Sequence, residues 1–211
     1  MDFDFTALPA QDRYRLLCGF VGPRPIALVA TVSAGGARNA APMSFFNVLS
    51  HDPPIVALGV QARRDGTPKD TARNIFDTGE FVVNMVDIGL AKQMVQCGLD
   101  YPSDVDEALA SGLTWAASEL VAPDRIVESP CAMECRLERS IDFERRSIIL
   151  GEVVHMTVRD ECLDTDGRSV AEGMYLPIAR LHDDNYIEAR DQFVLSAPIE
   201  LLDGPVRRRP G

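Results

Sequence analysis

A mainly β fold, a barrel with a few peripheral helices, is what this sequence predicts. Three observations lead there. Apolar stretches rich in branched residues recur along the chain with turn residues between them. Helical patterning is confined to three short segments, and most connections between strands are too short for the crossover helices of a parallel α/β sheet. No composition break, internal repeat or low-complexity tract divides the 211 residues, so residues 1–211 read as a single domain.

The first element is a short helix over Pro9–Cys18, with proline near its start and Gly19 just beyond its end. Gly22-Pro23-Arg24-Pro25 then stops helix formation. Ile26–Val32 is an apolar strand, Gly35-Gly36 a turn, and Arg38–Met43 the other arm of a hairpin. The non-periodic Ser44–Pro54 reads as a working loop before the strand Ile55–Val60. Helices are expected over Pro68–Asp77 and Ile88–Gln96, with a strand at Glu80–Val86 between them. Gly98–Pro130, with scattered Gly, Pro, Ser and Asp and the sole tryptophan, Trp115, reads as an excursion from the barrel. Long strands at Ala132–Ile141 and Ile148–Val158, and short ones near Leu176–Leu181 and Tyr186–Glu188, complete the pattern.

Composition narrows the function. Hydrophobic residues make up 46% and charged residues 25%, ordinary globular values, and no apolar run approaches the roughly 20 residues that span a bilayer. The opening MDFDFTALPAQDRYR has no basic flank before an apolar stretch, so the expectation is a soluble, cytoplasmic protein with no membrane partner. A net charge of −11 argues against nucleic acid, which is bound through Lys and Arg on phosphates. Arg207-Arg208-Arg209, between two prolines, reads as a solvated tail. The five cysteines, an odd number, are expected as reduced thiols. Cys131 and Cys135 would share one face of a strand, too far apart to bridge, and without a second pair or a neighbouring histidine they suggest no metal site.

Two segments carry chemistry. Thr67-Pro68-Lys69-Asp70-Thr71-Ala72-Arg73-Asn74 has the marks of a helix start, with Thr67 as N-cap, Pro68 at the first helical position and Asp70 three residues after the cap. Free N–H groups there, with Lys69, Thr71, Arg63 and Arg64 nearby, make a phosphate cradle. The same signature also suits a plain surface helix with its basic residues in water. Asn39–Asn47 mixes small residues with Ser44, Asn47 and the flat side chains of Phe45 and Phe46, which suits a planar heteroaromatic ring or, equally, a loop whose phenylalanines plug the barrel.

Together these segments resemble the FMN-binding split barrel of the flavin reductase-like family. The matching stretches are GPRPIALVATVS, NAAPMSFFNVLSHDPP, KDTARNI with EFVVNMV, GLDYPSDVDE, ESPCAMECRLE, ILGEVVHM and LPIARLHDDNYIEARDQF, from about Gly22 to Phe193. The resemblance implies that Asn39, Ala41, Ser44, Phe45 and Asn47 line the isoalloxazine and ribityl portions of FMN. It places Arg64, Lys69, Asp70 and Thr71 at the phosphate, with Asp70 capping its own helix, and Arg24 and Thr31 beside the flavin. It implies a homodimer whose second protomer completes the pocket around Tyr101. The implied chemistry is hydride transfer from NAD(P)H to flavin, carried by the cofactor without an acid–base triad.

The resemblance leaves two functional readings open: a flavin reductase, supplying reduced flavin to a partner oxygenase, or a flavoredoxin-like FMN carrier serving a protein redox partner. A related split barrel serving pyridoxamine-phosphate oxidation is a third. No GxGxxG stands in a strand–turn–helix setting, so no ribose-reading residue separates NADH from NADPH. His155 is the one candidate catalytic imidazole: strand alternation over Ile148–Val158 puts it on the face of Val153, either at the pocket mouth or satisfied by neighbouring strands. His51 reads as a loop-stabilising residue and His182 as a surface one.

Overall fold

The computed structural model describes residues 1–102 and 104–195; the triplet Arg207-Arg208-Arg209 lies outside them. In chain order the elements are α1 (Ala10–Phe20), β1 (Arg24–Pro25), β2 (Ala27–Val32), β3 (Arg38–Met43), β4 (Phe46–His51), β5 (Pro54–Gln61), α2 (Asp70–Thr78), β6 (Glu80–Met85), α3 (Ala91–Cys97), α4 (Glu107–Ala110), β7 (Trp115–Ala116), β8 (Arg125–Ile126), β9 (Cys131–Phe143), β10 (Arg146–Val158), β11 (Ile178–Arg180) and β12 (Tyr186–Glu188).

Seven strands make one antiparallel sheet in the order β3-β2-β6-β9-β10-β5-β4. Consecutive strands β3 and β4 stand at its opposite ends. Laid flat, strands about 4.8 Å apart would separate those ends by roughly 29 Å, whereas the link through Ser44 and Phe45 reaches only about 11 Å. The sheet must therefore roll until its ends meet. It does so around one core: Val29 of β2, Leu58 and Val60 of β5, Phe81 and Val83 of β6, Cys135 of β9 and Ile149 of β10 are all buried together, with Ala72 and Ile75 of α2 among them. The named pairings leave β3 and β4 unpaired with each other, so the barrel keeps a seam.

One glycine permits the tightest contact inside it. At Gly151 a Cβ would lie 2.3 Å from Phe81 Cζ and 3.4 Å from Cys135 Cβ, and the β9–β10 register shifts between Leu150 and Gly151. Bare backbone is what lets the Phe81 ring lie against the strand.

Outside the barrel, a second cluster joins Leu28, Val86, Leu90, Met94, Ala108 and Ile178, which seats α3, α4 and the small sheet β1-β11-β12. The expected excursion contains α4 and the β7–β8 pair. All five cysteines are free. Burial pushes the Cys135 thiol up to about 12 and the Cys131 thiol up to about 11, so both stay protonated and inert. Among the described residues no helix is long and apolar enough to cross a membrane.

Three expectations are corrected. Ser44–Pro54 is not a loop: most of it is β4, an edge strand with Asn47, Val48 and Leu49 exposed and a register shift after Val48, which erases the alternation a strand normally shows. Helix α2 begins at Asp70, two residues later than expected, because the Thr67 hydroxyl and N–H turn back to Asp65 Oδ1 at 2.7 and 2.9 Å. Lys69 takes the N-cap position without a side-chain cap, and the Asp70 carboxylate, instead of capping, ion-pairs with Arg63 and Arg73.

Gly151→Ala should destabilise the protein by about 1–3 kcal/mol through overpacking against Phe81. Thermal unfolding followed by circular dichroism should show a Tm lower by several degrees; an unchanged Tm would mean that the Phe81 ring moves aside freely.

Candidate functional site

Two adjoining cavities lie along β5 and the start of β10. The larger, about 710 Å³, is walled by Tyr14, Leu17 and Val21 at α1, by Ser44, Phe45 and Asn47, and by Ala57, Gly59 and Ile148. The smaller, about 320 Å³, is lined by Gly66, Pro68 and Lys69 ahead of α2 and by Arg145 of the β9–β10 turn. They share Phe143, Arg146 and Ser147, so the two compartments of the candidate groove meet at the start of β10.

Phe45 organises the larger compartment. Gly59 donates its N–H to the Phe45 carbonyl at 2.7 Å, and a Cβ at Gly59 would lie 2.9 Å from Phe45 Cβ, so the glycine sets how close the aromatic residue approaches β5. The ring meets Tyr14 edge-on, with centroids 6.4 Å apart. The Arg24 and Arg146 guanidinium carbons lie 5.9 and 5.8 Å from its centroid, within cation–π range. Arg24 is 7% exposed and donates to Cys18 O (2.7 Å), Val21 O (3.0 Å) and Leu181 O (2.7 Å). It thereby clamps the C-terminal end of α1, where helix carbonyls favour a cation. Burial raises the Tyr14 phenol, which stays protonated.

At the basic end, Asp70 consumes Arg63 and Arg73, while Lys69 and Arg146 have no ion-pair partner among the described residues. The loop before α2 is tied to the β9–β10 turn by Ala62 N–H to Arg145 O (3.0 Å) and Arg145 Nη2 to Arg64 O (3.2 Å).

Below the groove, α2 is fixed to the sheet by a buried polar network. Asn74 Nδ2 donates to Thr31 Oγ1 at 3.1 Å, and Asn39 is bonded to Thr71 Oγ1 at 3.1 Å; with its amide turned over, Asn39 also donates to Glu107 Oε1 at 3.2 Å. Each hydrogen bond satisfies polar atoms that burial would otherwise penalise.

Of the residues singled out in the sequence, Arg24, Ser44, Phe45 and Asn47 line the larger compartment and Lys69 the smaller. Thr31, Asn39 and Thr71 lie in the buried network. Asn39 and Asp70 line a separate polar cavity of about 90 Å³ with Glu107. Ala41 sits opposite Val29 in the β2–β3 ladder, and Arg64 offers its carbonyl to Arg145. Sequence reasoning missed Tyr14, Gly59, Phe143 and Arg146. The one signal available was an arginine pair, Arg145-Arg146, between two long strands.

His155 lines neither compartment. A second register shift, between Val153 and His155, breaks the alternation: Val153 opposes Cys135 of the core, whereas His155 opposes Glu134, one residue along and on the other face. Its Nδ1 lies 3.0 Å from Glu134 Oε1. Glu134 is fully buried and also accepts the N–H groups of Glu119 (2.8 Å) and Leu120 (2.6 Å). Burial alone would raise its carboxyl, but these two N–H groups and His155 outweigh it and hold the carboxyl below the usual range.

A rolled antiparallel sheet with few helices, its order β3-β2-β6-β9-β10-β5-β4 closed by a two-residue link, defines a protein of the split-barrel class. Residues 22–175 match the model of the flavin reductase like domain, and the chain belongs to that family. The 2-nitrobenzoate 2-nitroreductase NbaA of Pseudomonas fluorescens is 38% identical, with 94% of this chain and 96% of NbaA covered and a TM-score of 0.85. Component B of nitrilotriacetate monooxygenase from Bacillus cereus is 33% identical, covering 92% of this chain and 98% of its own, with a TM-score of 0.87. A protein with a split barrel domain from Shewanella frigidimarina, 23% identical over 93% of this chain and 99% of its own, shares the fold with a TM-score of 0.79.

Glu134→Gln should change the acid limb of stability. Because the folded carboxyl titrates below its ordinary value, its contribution is full above the unfolded value near 4.3 and is lost as pH falls through the folded value. Tm measured against pH should therefore fall less steeply below about pH 4.3 in the variant than in the wild type, from a lower neutral plateau. Parallel curves would show that Glu134 is not ionised in the fold.

Proposed function

We propose that this chain binds FMN in the groove and transfers electrons between NAD(P)H and that flavin. The observation that carries this reading is the adjoining of a large apolar, aromatic compartment with a smaller basic one. A flat ring suits the walls of Tyr14, Phe45, Gly59 and Ile148, and a phosphate suits the end beside Lys69 at the N-cap of α2. When bound, FMN supplies the hydride-accepting ring. The protein's share is positional: Phe45 and Tyr14 set the slot, Arg24 holds α1 over it, and Lys69 anchors the anionic end. Both strongly similar solved structures support a redox role, one named as a nitroreductase and the other as a monooxygenase component. By analogy with the second, the reduced flavin serves a partner oxygenase.

In this reading the working form is a homodimer. Val48 and Leu49 on edge strand β4 are 57% and 62% exposed and Phe143 beside the groove is 60% exposed, an apolar area that a second protomer would cover. Light scattering should give twice the chain mass.

The purified protein should show a flavin absorption band that NADH or NADPH bleaches without oxygen. A band that neither donor bleaches would support a carrier reduced by a protein partner, and failure to bind any flavin would overturn the proposal. Lys69→Ala should weaken FMN by about tenfold or more, the worth of one charge-assisted hydrogen bond, and leave riboflavin nearly unchanged. Equal losses for the two ligands would remove Lys69 from the phosphate.

A further inference from the structure

We infer that Arg146 is a second residue, beside Lys69, by which this groove tells a phosphorylated flavin from an unphosphorylated one. The inference rests on the flavin reading above and adds a second cation lining the compartment of Lys69. Arg146 opens β10 and lines both compartments, so it stands where the ring slot meets the basic end.

Four of the neighbouring cations are already engaged. Arg63 and Arg73 are held by Asp70, Arg24 by three carbonyls, and Arg145 by the carbonyl of Arg64. Arg146 instead rests on the face of Phe45 at 5.8 Å and has no carboxylate partner among the described residues. Two acidic side chains, Asp142 and Glu144, line the same small compartment, and Asp142 accepts the Ser140 hydroxyl at 3.0 Å. Arg146 is thus a cation held at the groove by an aromatic face, a contact weak enough to exchange for an anion.

Its chemistry suits a phosphate monoester. A guanidinium presents two parallel N–H donors to two phosphate oxygens, whereas Lys69 offers a point charge. With Lys69 ahead of α2 and Arg146 on the β9–β10 side, the dianion is held from two walls that the Ala62–Arg145 bond keeps in register. Riboflavin, lacking the phosphate, gains nothing from Arg146 beyond the slot it helps to shape.

The test is to titrate FMN and riboflavin separately into flavin-free wild type, Arg146→Gln and Arg146→Lys, reading flavin fluorescence. Arg146→Gln should weaken FMN about tenfold and leave riboflavin within about twofold, while Arg146→Lys, keeping the charge but losing the fork, should fall between. Unchanged binding of both ligands, or equal losses of both, overturns the inference. Should Arg146→Gln fail to fold, Arg146→Lys alone decides it by whether the FMN-to-riboflavin ratio drops. A wild type that prefers FMN while the variants keep its ratio refutes Arg146 only. A wild type that binds neither flavin refutes the groove reading as well.

Discussion

The groove exists because the sheet is rolled: the two-residue link between β3 and β4 enforces the roll, and the Phe81 ring, lying against the bare backbone of Gly151, packs its inside. A side chain at Gly151 would press on the Phe81 ring and strain the roll that the two-residue link of Ser44 and Phe45 enforces. That short link matters twice. It closes the barrel geometrically, and it puts Phe45 over Gly59 on the outside of β5, where the aromatic slot forms.

The existence and order of most elements were legible because apolar runs and turn residues report burial directly. The long strands β9 and β10, the β2–β3 hairpin and α2 all lie within a few residues of where the pattern puts them. What was not legible was register. Strand β4 carries its exposed apolar residues Val48 and Leu49 without alternation, so it reads as a loop. In β10, one extra residue between Val153 and His155 moves the histidine to the opposite face, and nothing in Glu152-Val153-Val154-His155 announces it. A period-2 argument is only as good as its assumption that no residue is inserted.

The candidate site divides along the same line. Lys69 and the Ser44–Asn47 corner are legible because a helix start and a cluster of small and aromatic residues have local signatures. Tyr14, Phe143 and Arg146 reach the groove only through tertiary folding, from elements about 30 residues before and 100 after that corner. Thr31, Asn39 and Thr71 show the converse. Their sequence positions suit a ligand contact, yet the structure uses their polar atoms to fasten α2 to β2 and β3. A buried polar residue near a pocket has two uses, and only its hydrogen-bond partners tell which.

The pairing of Asp70 with Arg63 and Arg73 leaves a small positive mouth on a body of net charge −11. An anion approaching from far away meets the field of the body and is repelled; within about one Debye length, roughly 8 Å at physiological salt, it meets Lys69 and Arg146 and is drawn in. Long-range steering and short-range capture therefore have opposite signs in this molecule. Added salt relieves the first and weakens the second, so the rate of arrival and the lifetime of an anionic ligand respond to ionic strength in opposite directions. Salt would therefore favour exchange of an anionic ligand over its retention.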